Sequence, residues 1–234
     1  MARLAEQLLG EGKKSKARDI IDLAIEKMPL DYFGYYSLIV PFIDGYYRLG
    51  EYEKARNLSQ KIAYKYSDRL EYFASITPNE QYLLGEEIIT EIERYRTLLE
   101  AVLENKDDKI LSDEIDKFVG VTSPFMFLYG EYDFYTSLRE FPEGYYVSGE
   151  KEKARDLIQI IVGQYVDRFK LFARFAERND IMLIDEIKQE ILDFRELVDI
   201  PFLNNDKVFA DSLKMKFDNL MEEFQKENKE TDKN

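Results

Sequence analysis

The side chains of this chain that could do chemistry are its carboxylates. The chain has 47 Asp and Glu residues against 33 Lys and Arg, and it has no cysteine and no histidine. The sequence therefore excludes thiolate nucleophiles, Ser–His and Cys–His catalytic arrangements, and zinc sites built from Cys and His. Acid–base or metal chemistry that uses carboxylates alone is left open.

The densest run of carboxylates is "ENKDDKILSDEID" at 104–116, which has the composition of a calcium-binding loop. A calcium loop of the EF-hand kind needs a glycine at its sharp turn and a bidentate glutamate at its end. The run has neither in register, so we interpret it as the solvated start of a helix. We accordingly expect no catalytic residue, no metal site and no cofactor.

The charge balance limits the classes of partner. The formal net charge is −14 at pH 7. Such a surface repels the phosphates of nucleic acids and disfavours anionic membrane surfaces. The sequence therefore predicts a partner that is not nucleic acid and has no direct attraction to an anionic bilayer.

The elements that must position these side chains are helices, because apolar residues recur at spacings of three and four through most of the chain. The residues at 77–80, "TPNE", form a capping box that predicts the start of a long helix with an apolar stripe at 84–103. Ser123 and Pro124 predict a similar start. Pro41 predicts a kinked helix within the aromatic stretch 32–47. The sequence has no β-hairpin signal, so the predicted fold class is all-α.

One short phrase occurs three times, as "GKKSKAR" at 12–18, "GEYEKAR" at 50–56 and "GEKEKAR" at 149–155. Residues 45–101 align without a gap on residues 144–200, 99 positions later. Over the first part of this alignment more than half of the positions are identical. The sequence therefore contains an internal duplication of about four helices.

Within the phrase, glycine supplies the left-handed residue that ends one helix, and the alanine five positions later lets two antiparallel helices approach closely. The spacing resembles the tetratricopeptide repeat. The matching residues are Leu4, Ala5, Leu8, Gly12, Ala17, Ile21, Ala24 and Pro29 in the first copy, Tyr46, Gly50, Ala55 and Ile62 in the second, and Tyr145, Gly149, Ala154 and Ile161 in the third. The later copies have Ser67 and Val166 in place of the closing proline, which predicts longer second helices. The resemblance implies helical hairpins stacked in a right-handed solenoid.

In the tetratricopeptide register, the first helices of the hairpins line a concave groove that binds a polypeptide. The positions that would face the groove are Glu6, Leu9, Val40, Asp44, Tyr47, Arg139, Glu143 and Tyr146. One of these positions is acidic in all three copies, which predicts a negative strip that favours a basic ligand. The 17 Tyr and 16 Phe residues could instead form a sugar-binding platform. We interpret most of them as core between the repeats.

A closer resemblance is carried by "RLAEQLLGEGKKSKARDIIDLAIEKMPLDYFGYY" followed by "GYYRLGEYEKA". These residues resemble the soluble C-terminal tail of a Bacteroidetes family of integral membrane proteins of unknown function, which is similar to protein O-mannosyltransferases. The resemblance implies that the chain is part of a longer protein and lies at the periplasmic face of the inner membrane. The chain would then meet the membrane only through an N-terminal region outside this sequence.

The predicted boundaries are a first repeat unit at 1–105, a duplicated unit at 106–204, a capping helix at 205–225 and a disordered tail at 226–234. The predicted function is a non-catalytic interaction scaffold, attached to a membrane glycosyltransferase-like protein, that binds a protein or peptide partner or a glycan acceptor. One alternative is an accessory domain that binds carbohydrate or a lipid carrier. Another is a free cytoplasmic adaptor, since "MARLAEQLLGEGKK" lacks the apolar region of a signal peptide.

Overall fold

The computed structural model describes residues 1–28, 30, 38–175 and 181–231, and for 173–175, 181–185 and 224–231 it describes the backbone alone. The described residues form helices and turns, with no strand among them, so the predicted all-α class is confirmed. The chain divides into two compact units, a first unit at 1–128 and a second unit at 129–234. Each unit is described by itself.

The first unit contains seven helices and a short 3₁₀ helix among its described residues. They are α1 Ala2–Gly10, α2 Lys14–Lys27, α3 Val40–Leu49, α4 Tyr52–Ser75, α5 Pro78–Leu83, α6 Gly85–Glu104, α7 Leu111–Thr122 and the 3₁₀ helix Ser123–Phe125. Three pairs, α1 with α2, α3 with α4 and α6 with α7, pack as hairpins across their connecting turns. The first helices of these hairpins are neighbours, since α3 packs against both α1 and α6.

The remaining helices begin at the boundary between the units. They are α8 Met126–Tyr129, α9 Glu131–Thr136, α10 Phe141–Val147, α11 Lys151–Phe175, α12 Ile181–Leu203 and α13 Lys207–Thr231. Within the second unit α10 packs against α11, and α12 packs against α13. The helix α11 also contacts α9, α12 and α13, so it is the element around which this unit is built.

The glycine and alanine of the repeated phrase have the predicted geometry. Gly50 ends α3 in the left-handed conformation with φ of 79°, and the N–H of Glu51 donates to the carbonyl of Tyr46 at 2.9 Å. Gly149 has φ of 81° at the equivalent position. The alanines five positions later, Ala55 and Ala154, have no exposed surface. The longer second helices are also confirmed, since α4 and α11 have 24 and 25 residues and α2 has 14.

The capping box is confirmed, but it begins a shorter helix than predicted. The hydroxyl of Thr77 accepts from the N–H of Glu80, and the carboxylate of Glu80 accepts from the N–H of Thr77. The helix α5 that begins here ends one residue before Leu84, which leaves the helical conformation. A new helix then begins at Gly85, where a Cβ atom would lie 3.3 Å from the side chain of Leu128. The apolar stripe at 84–103 did not indicate this break between two helices.

Two predictions based on proline are wrong. Pro41 lies in the first turn of α3 and does not kink a helix, because a proline there lacks only an N–H that has no intrahelical partner. Residues 32–37 of the aromatic stretch lie outside the described residues. Ser123 does not cap a helix, since its hydroxyl donates back to the carbonyl of Gly120 and a 3₁₀ turn follows.

The two compact units meet between residues 128 and 129. The predicted boundaries lie instead at 105, 204 and 225, because they follow the 99-residue duplication of the sequence. The helix α7 packs against α4 and α6, so it belongs to the first unit. The helix α13 continues to Thr231, through most of the tail predicted to be disordered at 226–234. The reason is that Gln, Lys and Glu, which dominate this segment, are strong helix formers. Residues 232–234 lie outside the described residues.

Candidate binding face

The predicted groove residues of the first unit lie on two neighbouring helices. Glu6 and Leu9 are on α1, and Val40, Asp44 and Tyr47 are on α3, which packs against α1. Glu6 is exposed, whereas Leu9, Val40 and Asp44 are half-buried. Asp44 accepts a hydrogen bond of 3.3 Å from the amide of Asn105, so this carboxylate has a partner within the fold.

In the second unit Glu143 and Tyr146 lie on α10, and Arg139 lies just before this helix. All three are half-buried. A single acidic row that joins Glu143 to Glu6 and Asp44 stays a prediction. Within the first unit, Glu6 and Asp44 lie on adjoining helices.

The tyrosines of the predicted groove are anchored to buried carboxylates. Tyr47 is 4% exposed, and its hydroxyl donates to Asp107 at 3.0 Å. Burial raises the pKa of Tyr47, and the charge of Asp107 raises it further. Tyr146 donates to Asp206 at 3.0 Å in the same way. Tyr47 is therefore a core residue, and an exposed sugar-binding platform cannot use its ring.

Asp107 is the centre of a polar cluster that the sequence did not reveal. Its side chain has no exposed surface, and Arg56 donates through Nε to both carboxylate oxygens at 2.8 Å. We call Tyr47, Arg56 and Asp107 the Asp107 cluster. The prediction that 104–116 is a solvated helix start is wrong at this residue, because α3 and α4 supply two donors that satisfy the buried charge.

The second unit contains the equivalent set, 99 positions later, which we call the Asp206 cluster: Tyr146, Arg155 and Asp206. Arg155 donates to Asp206 through Nε at 2.8 Å and through Nη2 at 2.9 Å. Lys151 lies 3.2 Å from the same carboxylate. These donors, Arg155 first, hold the pKa of Asp206 far below its ordinary value of 3.8.

A signal for these clusters was present in the sequence. The alignment at offset 99 continues past 101, so that "NKD" at 105–107 matches "NND" at 204–206. Both middle residues, Lys106 and Asn205, have positive φ, of 50° and 60°. Extending the alignment by these few residues would have shown that Asp107 and Asp206 are equivalent positions of the duplication.

Aromatic residues form the core beneath these clusters. Tyr66 and Tyr95 stack with ring centroids 5.6 Å apart, and Phe118 meets Tyr95 edge-on at 5.1 Å. The second unit repeats this arrangement at the residues 99 positions later, with Tyr165 stacked on Phe194 at 5.2 Å and Phe217 edge-on to Phe194 at 5.1 Å. These aromatic residues are core, as predicted.

A cavity of about 490 Å³ opens in the first unit between the start of α3 and the helices α4 and α6. Its lining residues are Val40, Pro41, Tyr66, Ile89, Thr90, Glu93, Arg94 and Thr97. Val40 is the one predicted groove residue among them. The predicted groove does not include α6, because this helix has no copy of the glycine phrase. The structure places α6 beside α3, as the first helix of the next hairpin.

The polar groups around this cavity are largely satisfied by the protein itself. The hydroxyls of Thr90 and Thr97 donate to carbonyls one turn back in α6, at 2.7 and 3.0 Å. Arg94 pairs with the buried Glu91 at 2.9 Å, and Glu93 pairs with Arg96 at 2.5 Å. The cavity therefore favours an uncharged, apolar occupant.

No group of three or more Asp, Glu, His or Cys residues with the arrangement of a metal site occurs in the described part of the chain. Among the helices described, none combines the length and apolar character needed to cross a bilayer. Comparisons of this chain with protein-family models, with curated proteins and with solved structures find no match.

Proposed function

We propose that this chain is a non-catalytic protein-interaction scaffold of tetratricopeptide-like hairpins, and that the first helices of the hairpins bind a polypeptide partner. The observation that carries the proposal is the adjacency of α1, α3 and α6 in the first unit. Side chains from successive first helices are thereby placed next to one another, as a peptide-binding surface requires. The left-handed glycines and buried alanines of the turns support the same repeat type.

A non-catalytic role is supported by the use of the buried charges. Asp107 and Asp206 are each bound by an arginine and a tyrosine, which leaves them poorly suited to act as a general base. The chain also has no histidine and no cysteine. We expect no turnover of an activated sugar donor by this chain alone. Turnover that is lost when a single carboxylate is changed to its amide would contradict this.

Attachment to a membrane glycosyltransferase-like protein, and with it a periplasmic location, is part of the proposal and is supported by the sequence resemblance alone. The test is the genomic reading frame upstream of Met1. Several membrane spans in that frame would support the attachment. A stop codon immediately upstream would favour the cytoplasmic adaptor.

The test of peptide binding uses the acidic strip. A Lys- and Arg-rich peptide should bind the chain with an affinity that falls as salt rises. The triple variant Glu6→Gln, Asp44→Asn, Glu143→Gln should bind it more weakly. The control is Glu26→Gln, Glu71→Gln, Glu223→Gln, which removes the same charge from exposed positions on α2, α4 and α13. If both variants bind the peptide equally weakly, net charge alone explains the effect. If neither variant loses affinity for the peptide, the acidic strip is contradicted.

A further inference from the structure

The walls of the cavity in the first unit differ from the equivalent residues of the second unit. The residue at the base of the cavity is the same in both units, since Tyr66 corresponds to Tyr165 and both are buried. The other seven lining residues differ between the units. Four of them change from apolar to charged or reverse their charge: Val40 and Arg139, Pro41 and Glu140, Ile89 and Lys188, and Arg94 and Asp193. The remaining three, Thr90, Glu93 and Thr97, correspond to Gln189, Leu192 and Glu196.

In the second unit an ion pair lies at the equivalent position. Arg139 donates through Nη1 to Asp193 at 3.3 Å, which ties the segment before α10 to α12. Gln189 donates to the other oxygen of Asp193 at 2.9 Å. The corresponding residues of the first unit, Val40 and Arg94, line the open cavity.

We propose that the cavity of the first unit binds one aliphatic or aromatic side chain of a polypeptide whose flanking residues are basic, and that the Arg139–Asp193 pair closes the equivalent position of the second unit. This inference rests on the proposed peptide-binding function and names the residue class that it selects. The partner is anchored at one unit, although the helices of both units share their sequence pattern.

The chemistry of the anchor follows from the lining. Val40, Pro41 and Ile89 offer hydrocarbon surface, and the charges of Glu93 and Arg94 are already paired. A volume of about 490 Å³ accommodates a Leu, Met or Phe side chain with room to spare. Apolar anchors that fill such pockets carry much of the affinity of peptide interfaces.

The basic flanks follow from charge complementarity. The net charge of −14 favours cationic residues on either side of the anchor, and the exposed Glu6 on α1 belongs to the same helix row as α3 and α6. An acidic or phosphate-bearing partner would meet repulsion over the same surface. A second copy of this chain, also at −14, is disfavoured as the occupant for the same reason.

The probe is the peptide Ac-KKFKK-NH2, compared with Ac-KKAKK-NH2, added to the whole chain labelled with ¹³C in its Val and Ile methyl groups. The Phe peptide should shift the methyl signals of Val40 and Ile89. It should bind about tenfold more tightly than the Ala peptide, because it buries an aromatic side chain. This measurement needs no variant.

The matched variants use the duplication. Ile89→Asp should abolish the preference for Phe over Ala, and Lys188→Asp, at the equivalent exposed position of α12, should leave it intact. Val40→Arg with Arg94→Asp transplants the pair of the second unit and should close the cavity. Thermal midpoints of all variants establish that they fold.

Each outcome decides between the proposals. Equal, salt-sensitive binding of both peptides with no shift at Val40 and Ile89 overturns the pocket and leaves the scaffold standing. Shifts at these methyls without any effect of the acidic triple variant support the pocket and contradict the strip. Binding of neither peptide, with unmoved methyl signals, overturns both. Shifts that depend on protein concentration without peptide overturn the polypeptide anchor in favour of self-association.

Discussion

Arg56 on α4 and Asp107 in the turn before α7 are 51 residues apart in sequence, and Nε of Arg56 lies 2.8 Å from each carboxylate oxygen of Asp107. Arg155 likewise donates to both carboxylate oxygens of Asp206, through Nε to one and through Nη2 to the other. Each pair ties one hairpin to the next. The recurrence of both contacts at the offset of the sequence duplication indicates that they are part of the repeated design.

Replacing Asp107 should destabilise the fold strongly. Asp107→Ala leaves Arg56, whose side chain is 14% exposed, and the buried hydroxyl of Tyr47 without their shared acceptor. We expect a loss of about 3 kcal/mol in the free energy of unfolding, measured by urea denaturation. The exposed neighbour Asp108 is the control, since Asp108→Ala should stay within about 0.5 kcal/mol. An unchanged midpoint for Asp107→Ala would show that the cluster does not stabilise the unit.

Most of the stability lost in Asp107→Ala should come from the charge of Arg56, which is left partly buried without the carboxylate of Asp107. The triple variant Tyr47→Phe, Arg56→Met, Asp107→Leu removes both side-chain donors together with the acceptor and leaves only the N–H of Lys109, 3.3 Å from the lost carboxylate oxygen, without its acceptor. It should therefore recover much of the lost stability, because apolar replacement of a whole buried ion pair is often close to neutral. A triple variant that is less stable than Asp107→Ala alone would contradict this.

Substitution of the left-handed glycines should be costly through the backbone alone. A Cβ atom at Gly50 or Gly149 would meet no atom within 4 Å, but both residues have φ near 80°. Gly50→Val and Gly149→Val should each cost roughly 1 kcal/mol or more in the free energy of unfolding, and Gly50→Asn should cost less. Gly163 lies inside α11, where an added Cβ atom would meet open space. Gly163→Ala should therefore change the free energy of unfolding in the opposite direction and stabilise the fold by about 0.5–1 kcal/mol. Equal effects at Gly50 and Gly163 would exclude this explanation.

Enlarging the buried alanines should overpack the hairpins. Ala55 and Ala154 have no exposed surface, so Ala55→Leu and Ala154→Leu should each destabilise by about 1–3 kcal/mol. Ala74, exposed near the end of α4, is the control, and Ala74→Leu should change stability little. Thermal midpoints of the three variants test this. Unchanged midpoints at Ala55 and Ala154 would contradict close packing of the hairpin helices.

Stability should depend on pH through Glu114. Burial raises the pKa of Glu114 above its ordinary value of 4.5, although the hydroxyl of Tyr95 donates to this carboxylate and acts in the opposite direction. A raised folded-state pKa contributes stability below the unfolded pKa that is lost as pH rises through the folded value. Glu114→Gln should therefore gain stability relative to the parent between pH 4 and pH 7.5, measured by denaturation at both values. A difference between the two proteins that does not change with pH would contradict the assignment.

Asp206 should act in the opposite direction. Its pKa is lowered, chiefly by Arg155, so its contribution is present above pH 4 and is lost as pH falls toward the folded value. Asp206→Asn should therefore lose most relative to the parent at neutral pH, and the difference should shrink in strong acid. Denaturation of both proteins at pH 7 and pH 3 checks this.

The helical class, the turns at Gly50 and Gly149 and the buried alanines followed from the sequence, because helical periodicity and left-handed glycines are local signals. The break at Leu84 did not, because the apolar stripe runs through this position without interruption. The burial of Asp107 was missed for a similar reason. Its partners come from α3 and α4, and a carboxylate inside a charged run gives no local indication of burial.

The candidate binding face was predicted in part. Glu6 and Asp44 do lie on neighbouring helices, as the repeat register indicated. Tyr47 does not face outward, because its hydroxyl donates to the buried carboxylate of Asp107. The helix α6 lacks the glycine phrase, so sequence similarity to the other copies could not place Ile89 beside Val40.

The bond between Arg56 and Asp107 also limits how short a self-contained piece of this chain can be. A copy of α3 and α4 alone would contain Tyr47 and Arg56 without Asp107, the carboxylate that accepts from both. The stretch that recurs runs at least from Gly45 to Asp107, and it carries donors and acceptor together. A self-contained piece of this chain therefore extends past α3 and α4, at least to the turn before α7.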